Sequence, residues 1–429
     1  MRGGDENVLT VPHAPHGVWG RVRVPPSKSL TQRALVAAAL AGEGSVVRCP
    51  LDAEDPRLLA AALQGAGFRL NWDANTVTAH GREPVSAGEC HLGNNGTGVR
   101  FLLAQFAALP GEWTVDGSER LRQRPVFPLV EALRQLGAKI EPRGGGATAL
   151  PLVVSGRTLA GGEVALDASA SSQFVSALLL LGAVLSRGLV VRLTSAPPSR
   201  PYLDLTAEVL AAFGARVAEE GGGTLFAVGC GLAAAEFTVE GDWSAAAFPL
   251  AAVAVAGGRI EVLGVRPDSH QGDAAVLKIF QTAGCTVGVT GHGMVMNGPA
   301  TRPLAADLRD TPDLFPALAV VTAVAGGRLE GLQGLAAKES DRLTVMAGHL
   351  RGMGWEVETG DGWFAAPGGG ASPKGTAAPL DPASDHRIAM ALAVAGCVAQ
   401  GVRILDPGCV AKSWPGFWAA WEPLVSEAS

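Results

Sequence analysis

Residues 133–140 read Leu-Arg-Gln-Leu-Gly-Ala-Lys-Ile, the end of a helix, a glycine and the start of an alternating strand. The phrase returns as LQGAGFRL (63–70), LAAFGARV (210–217), FQTAGCTV (280–287) and LRGMGWEV (350–357). Its glycines, Gly67, Gly137, Gly214, Gly284 and Gly354, are separated by 70, 77, 70 and 70 residues. A glycine placed there serves as a left-handed helix C-cap. A repeat of this length must be recognised before any local reading is made.

A second phrase is interleaved with the first: an almost wholly apolar helix, a glycine, then a β-rich run. It occurs six times, beginning at Ala34, Phe101, Phe174, Phe248, Leu314 and Ile388. A helix that is apolar all round is buried on all sides. The chain therefore reads as α/β (α+β), built from six units of about 70 residues with one buried and one amphipathic helix each. Six units exceed one core, so two halves of three units are expected rather than an open solenoid.

Small, polar or charged clusters open each apolar helix: Ser27-Lys28-Ser29, Asn94 to Thr97, Ser171-Ser172-Gln173, Asp242-Trp243-Ser244, Thr311-Pro312-Asp313 and Asp385-His386-Arg387. Capping of free N–H groups accounts for the Asp242 and Thr311 clusters. It does not account for Lys28, Arg33 or Arg387, because cations oppose the dipole at a helix N-terminus. They make sense if an anion is held there by backbone N–H groups and a cation together. Arg124, Lys338, Arg342 and Lys412 lie near the second helices. Asp313 and Glu339 stand beside these cations as candidate proton-transfer carboxylates. The pattern suits a small ligand carrying phosphate and carboxylate.

The remaining composition narrows the classes. A net charge of −6 gives no basic field for nucleic acid or anionic membrane. The six cysteines show no metal or disulfide spacing. Reduced thiols in the cytoplasm and no metal are the simple expectation. The first residues carry no apolar leader, and the most apolar run, 174–185, is too short to span a bilayer.

Together the motifs resemble the 5-enolpyruvylshikimate-3-phosphate synthases. The resemblance rests on PPSKSLTQRAL (25–35), GNNGTGVR (93–100), SASSQF (169–174), SRPYLDLT (199–206), LAAKESDR (335–342), DHRIAM (385–390) and DPGCVAKSWP (406–415), in the family's order. It implies two similar domains, each of three βαβαββ-type units, with helix N-termini facing an interdomain cleft. One domain would span 23–242 and the other 1–22 with 243–429, and substrate would close them. The resemblance implies shikimate 3-phosphate contacts from Lys28, Ser29, Arg33, Ser171, Ser172, Gln173, Ser199, Tyr202, Asp313 and Lys338. It implies phosphoenolpyruvate contacts from Lys28, Asn94, Gly96, Thr97, Arg124, Gln173, Arg342, Arg387 and Lys412. Asp313, Glu339 and Lys28 would move protons in an addition–elimination through a tetrahedral intermediate. No cofactor, nucleic acid or membrane is implied, and the enzyme is expected to be a monomer.

Several positions depart from the family pattern: Pro26, Gln32, Asn95, Gly98, Phe101, Gly334, Ala336 and Ala337. None removes a charged ligand. Glyphosate, which in this family occupies the phosphoenolpyruvate site, is favoured by Gly96 and opposed by Phe101. The related UDP-N-acetylglucosamine enolpyruvyl transferases carry Lys-Asn where this chain has Lys28-Ser29, and a cysteine where Asp116 to Pro125 has none. RNA 3′-phosphate cyclase would need a nucleophilic histidine and a basic face. A non-catalytic anion-binding protein has no use for both Asp313 and Glu339.

Overall fold

All five phrase glycines adopt left-handed backbone, from φ 90° at Gly214 to 101° at Gly284. Each ends an amphipathic helix and releases the chain into a strand. The structure, a computed structural model, describes residues 7–143, 150–369 and 373–426. It divides into two compact units, residues 26–240 and residues 1–25 with 241–429.

The 26–240 unit contains α1 (Lys28–Ala41), α2 (Glu54–Gly65), α3 (Gly96–Ala108), α4 (Glu119–Arg122), α5 (Phe127–Gln135), α6 (Ser172–Gly182) and α7 (Pro201–Ala212). Its second sheet shows the repeat plainly. Strand Ala87–His91 crosses through α3 to its parallel neighbour Gly111–Asp116, with Cys90 opposite Val115. The chain then passes through α5 to Lys139–Pro142 and turns back into Leu152–Gly156, both pairings antiparallel. That order is β-α-β-α-β-β. The third sheet repeats it with Gly162–Leu166 parallel to Leu189–Leu193 across α6. In the first sheet the parallel partner of Val46–Arg48 is Glu236–Thr238, supplied from the far end of the unit.

The other unit contains α8 (Trp243–Ala256), α9 (Val276–Thr282), α10 (Phe315–Ala325), α11 (Arg342–Gly352), α12 (His386–Gly396) and α13 (Phe417–Ser426). Strand Val18–Arg23 pairs in parallel with Gly258–Leu263, so sequence-distant segments share one sheet. The next sheet is a complete repeat. The sixth copy is abbreviated: Val8–Thr10 pairs antiparallel with Arg403–Leu405, and isolated bridges add Lys374 and Leu380. The reason is in the sequence, where the Leu/Phe-x-x-x-Gly phrase occurs five times and the apolar helix six.

The apolar helices form the cores. Every residue of α8 from Trp243 to Val255 is buried, and α8, α10 and α12 pack against one another. In the 26–240 unit α3 packs on α6, where Leu178 to Leu181 lose all solvent contact. Such side chains contribute roughly 1.5–3 kcal/mol each relative to exposure. No helix among the described residues is long and apolar enough to cross a membrane.

Candidate functional site

In the 26–240 unit the polar clusters sit at the first turns of α1, α3 and α6. Ser27 caps α1, accepting from the Leu30 N–H, and Ser171 caps α6, accepting from the Gln173 N–H. At α3 the cap is Asn95, whose Oδ1 accepts from the Gly98 N–H at 2.8 Å. The Asn95 Nδ2 donates to the Asp55 carbonyl at 2.8 Å, and the Lys28 Nζ reaches the Asp55 carboxylate at 3.0 Å. Asp55 thus ties α1 to α3 from the first turn of α2. The sequence reading did not single it out, because an acid in a helix's first turn is common for capping reasons alone.

Asn95 and Gly98 explain each other. A Cβ at Gly98 would lie 2.6 Å from the Asn95 Nδ2. The larger residue at 95 fits only because the smaller one stands at 98. Gly96 is a second close approach. A Cβ there would lie 2.7 Å from the Arg124 Cζ and 2.8 Å from both terminal nitrogens. Arg124 is 8% exposed and donates to the Asn94 carbonyl at 3.3 Å. Glycine at 96 therefore lets that guanidinium lie over the helix start.

Gln173 is held from two sides. Its Nε2 donates to Thr97 Oγ1 at 3.0 Å, and its Oε1 accepts from Arg100, whose other terminal nitrogen donates to the Pro125 carbonyl at 2.8 Å. Arg100 was missed in the sequence although it ends GNNGTGVR. Its signal was a lone cation in an otherwise apolar helix. Ser199 adopts left-handed backbone, φ 57°, just ahead of α7. Strain of that kind in a non-glycine residue collects at functional sites. Its carbonyl accepts from the Tyr202 N–H at 3.2 Å.

Arg33 lies deeper than the sequence suggested. It is 1% exposed and donates to Thr206 at 2.8 Å, the Ser29 carbonyl at 3.0 Å, Ser176 at 3.2 Å and the Tyr202 carbonyl at 3.3 Å. The rings of Phe101 and Tyr202 lie 5.4 and 5.6 Å from its guanidinium carbon. Burial pushes its pKa down to about 10. Phe101 is fully buried and packs on this cation.

In the other unit six named residues converge. Arg342 is buried, and its guanidinium reaches Asp313 at 2.6 Å, Glu339 at 2.9 Å and Asp385 at 2.8 Å. Asp313 also meets Lys338 at 3.3 Å and Arg387 at 3.2 Å. Asp385 caps α12 through the Arg387 N–H at 3.0 Å and accepts from Ser340 at 3.0 Å. Burial opposes the Asp313 charge, but Arg387, Lys338 and Arg342 together hold its carboxyl well below the usual carboxylate range. Burial likewise opposes the Arg342 charge, and its carboxylates hold its pKa above the ordinary value. Lys412 ends the short 3-10 segment Pro407–Lys412 that packs on α12, and it is 7% exposed.

One capping expectation is corrected. Thr311 makes no side-chain cap; its carbonyl, not its hydroxyl, accepts from the Leu314 N–H at 3.1 Å. Pro312 at the first position of the turn leaves one N–H fewer to satisfy. Asp242 does cap, accepting from the Ala245 N–H at 3.0 Å.

Two outcomes follow from these contacts. Gly98→Ala should displace the Asn95 amide and cost about 1–2 kcal/mol in urea unfolding, and Asn95→Ala made on top of it should cost little more. Asp313→Asn should cost about 3 kcal/mol at neutral pH, since it leaves buried cations short of a counter-charge. A depressed carboxyl pKa stabilises above the unfolded value and loses that contribution as pH falls through the folded one. The gap between wild type and Asp313→Asn should therefore hold from pH 8 to 5 and close only below about pH 4.

Residues 12–421 match the sequence family described as EPSP synthase (3-phosphoshikimate 1-carboxyvinyltransferase). A 3-phosphoshikimate 1-carboxyvinyltransferase of Syntrophobacter fumaroxidans is 38% identical over 423 residues, covering 96% of this chain and 98% of the relative. One from Halobacterium salinarum is 39% identical over 419 residues, covering 94% and 96%. The solved EPSP synthase of Acinetobacter baumannii superposes with a TM-score of 0.78 at 27% identity, over 97% of this chain and 98% of that one. A full-length match in sequence, with the same fold, makes this chain a member of the EPSP synthase family.

Proposed function

We propose that the chain transfers the enolpyruvyl group of phosphoenolpyruvate to the 5-hydroxyl of shikimate 3-phosphate and releases phosphate. The observation that carries this reading is the set of partly or fully buried cations at polar helix starts: Lys28 and Arg124 in one unit, Lys338, Arg342 and Arg387 in the other. Each bound phosphate brings a charge of about −1.5 to −2. Arginine grips phosphate and carboxylate in a fork, and lysine acts as a point charge.

In the 26–240 unit we assign Lys28, Ser29, Ser171, Ser172, Gln173, Ser199 and Tyr202 to shikimate 3-phosphate, with Arg33 bracing Ser29 and Tyr202 from behind. Arg124, Asn94, Gly96, Thr97, Lys28 and Gln173 serve phosphoenolpyruvate. In the other unit Asp313 and Lys338 serve shikimate 3-phosphate, and Arg342, Arg387 and Lys412 serve phosphoenolpyruvate. We read the enzyme as a cytoplasmic monomer.

Addition needs a base at the 5-hydroxyl and an acid at C3 of the enol; elimination reverses the roles. Asp313 takes the hydroxyl proton, with Lys28 assisting, and Glu339 serves C3. Alone, Asp313 is a weak base, because Arg387, Lys338 and Arg342 stabilise its charge. Substrate anions that engage Lys338 and Arg387 share those cations, and the Asp313 carboxylate becomes more basic when substrate is present. Ligand binding thereby switches on the base.

The test is phosphate release by the purified chain, which should require both substrates. Arg124→Ala should raise KM for phosphoenolpyruvate by at least about tenfold, the loss of a charge-assisted contact of about 1.5–3 kcal/mol. Gly96→Ala should raise the same KM by pushing the Arg124 guanidinium aside, and should weaken glyphosate further. Release that proceeds without shikimate 3-phosphate, or an Arg124→Ala enzyme with unchanged KM, would sink the assignment.

A further inference from the structure

The start of α8 carries a polar group that the reaction as described does not use. Gln271 clamps the helix start: its Oε1 accepts from the Trp243 N–H at 3.1 Å, and its Nε2 donates to the Gly241 carbonyl at 2.8 Å. Two residues on, Asp273 lies in the 3-10 turn Gly272–Ala275 ahead of α9 and is 4% exposed. Its Oδ2 accepts from the Ser244 hydroxyl. Its Oδ1 is buried with no hydrogen-bond partner among the described residues.

A buried carboxylate whose hydrogen-bond partner is a single hydroxyl is unfavourable, and taking up a proton relieves it. The charges acting on Asp273 are Asp313 ahead of α10, Arg387 on the first turn of α12 and Asp242 at the cap of α8. The single ionisable side chain on α9, Lys278, is exposed. Burial, reinforced by the Asp313 charge, pushes the Asp273 pKa up to about 7 against the pull of Arg387. Arg387 lowers the pKa of both Asp313 and Asp273, yet Asp273 takes up its proton at a far higher pH than Asp313 does. Carboxyls driven apart in this way divide their roles.

We propose that Asp273 is a positioning residue of the enolpyruvyl transfer: as the neutral acid it adds no further negative charge near Arg387, which already pairs with Asp313, so that Arg387 retains positive potential for the anionic substrate. This rests on Arg387 being a phosphoenolpyruvate ligand, as read above. When Asp273 loses its proton, a second negative charge acts on Arg387, and the site attracts phosphoenolpyruvate less. Asp273 itself touches no substrate in this account; it acts through Arg387.

The experiment is KM for phosphoenolpyruvate against pH, from about pH 6 to 8.5, in wild type and in Asp273→Asn, Ser244→Ala and Arg387→Ala. The substrate phosphate titrates in the same range, but identically for every enzyme, so ratios to wild type remove it. Wild-type KM should rise about tenfold across the range relative to Asp273→Asn, a shift of one pKa unit's worth of interaction, while the two kcat profiles run parallel. Ser244→Ala removes the hydrogen bond that favours the charged form, so its break in KM should move to higher pH. That variant keeps the test open should Asp273→Asn fold poorly. Identical KM profiles for wild type and Asp273→Asn, or an unmoved break in Ser244→Ala, would overturn the inference while a raised KM in Arg387→Ala left the binding reading intact. Unchanged KM in Arg387→Ala would remove the binding reading and this inference together.

Discussion

One buried guanidinium organises the reacting end of the 241–429 segment. Arg342 is fully enclosed and reaches three carboxylates: Asp313 ahead of α10, Glu339 three residues before Arg342 itself, and Asp385 at the cap of α12. Enclosing that cation without partners would cost several kcal/mol. Its partners in turn depend on it, since Asp385 is fully removed from water and Asp313 largely so. The arrangement fixes the separation and orientation of the two carboxylates assigned to proton transfer. A buried charge network of this kind is weak evidence for net stability. Its value here lies in geometry and in the setting of pKa.

The 26–240 unit handles a buried cation differently. Arg33 is surrounded by hydroxyls and carbonyls with two aromatic rings, and meets no carboxylate among the described residues. Its positive charge is therefore solvated by dipoles but not neutralised, and positive potential persists at the helix starts. In the other unit Arg342 and Arg387 already meet carboxylates. On the proposed assignment, an incoming anion would compete with Asp313 for them, and that exchange would tie the basicity of Asp313 to the presence of substrate.

Much of this was readable from sequence because it follows local rules. The Leu/Phe-x-x-x-Gly phrase marks helix ends, and Ser27, Ser171, Asp242 and Asp385 cap as their residue types dictate. The clusters opening the apolar helices pointed to the residues that converge on Asp313. What escaped depends on direction. Sequence marks Arg33 and Arg342 as cations near helix starts, yet only packing determines that both turn inward. Asp55 and Asp273 escaped because an acid in a helical first turn or a short 3-10 turn has no local signature separating a brace from a surface residue, and Arg100, although a lone cation in an apolar helix, shows its partners Gln173 and Pro125 only once the chain is packed. Asn95 and Gly98 looked like two independent departures from the family pattern; side-chain geometry makes them one compensated change. The abbreviated sixth repeat was signalled by a missing sixth glycine phrase, which is easily passed over when counting what recurs.

The account depends most on the claim that Arg342 and Asp313 hold one another. A double-mutant cycle in urea unfolding, combining Arg342→Gln with Asp313→Asn, measures that coupling directly. The account predicts a favourable interaction energy of about 1.5–3 kcal/mol, so that the double variant is far less destabilised than the sum of the singles. Additive losses, with a coupling near zero, would contradict it.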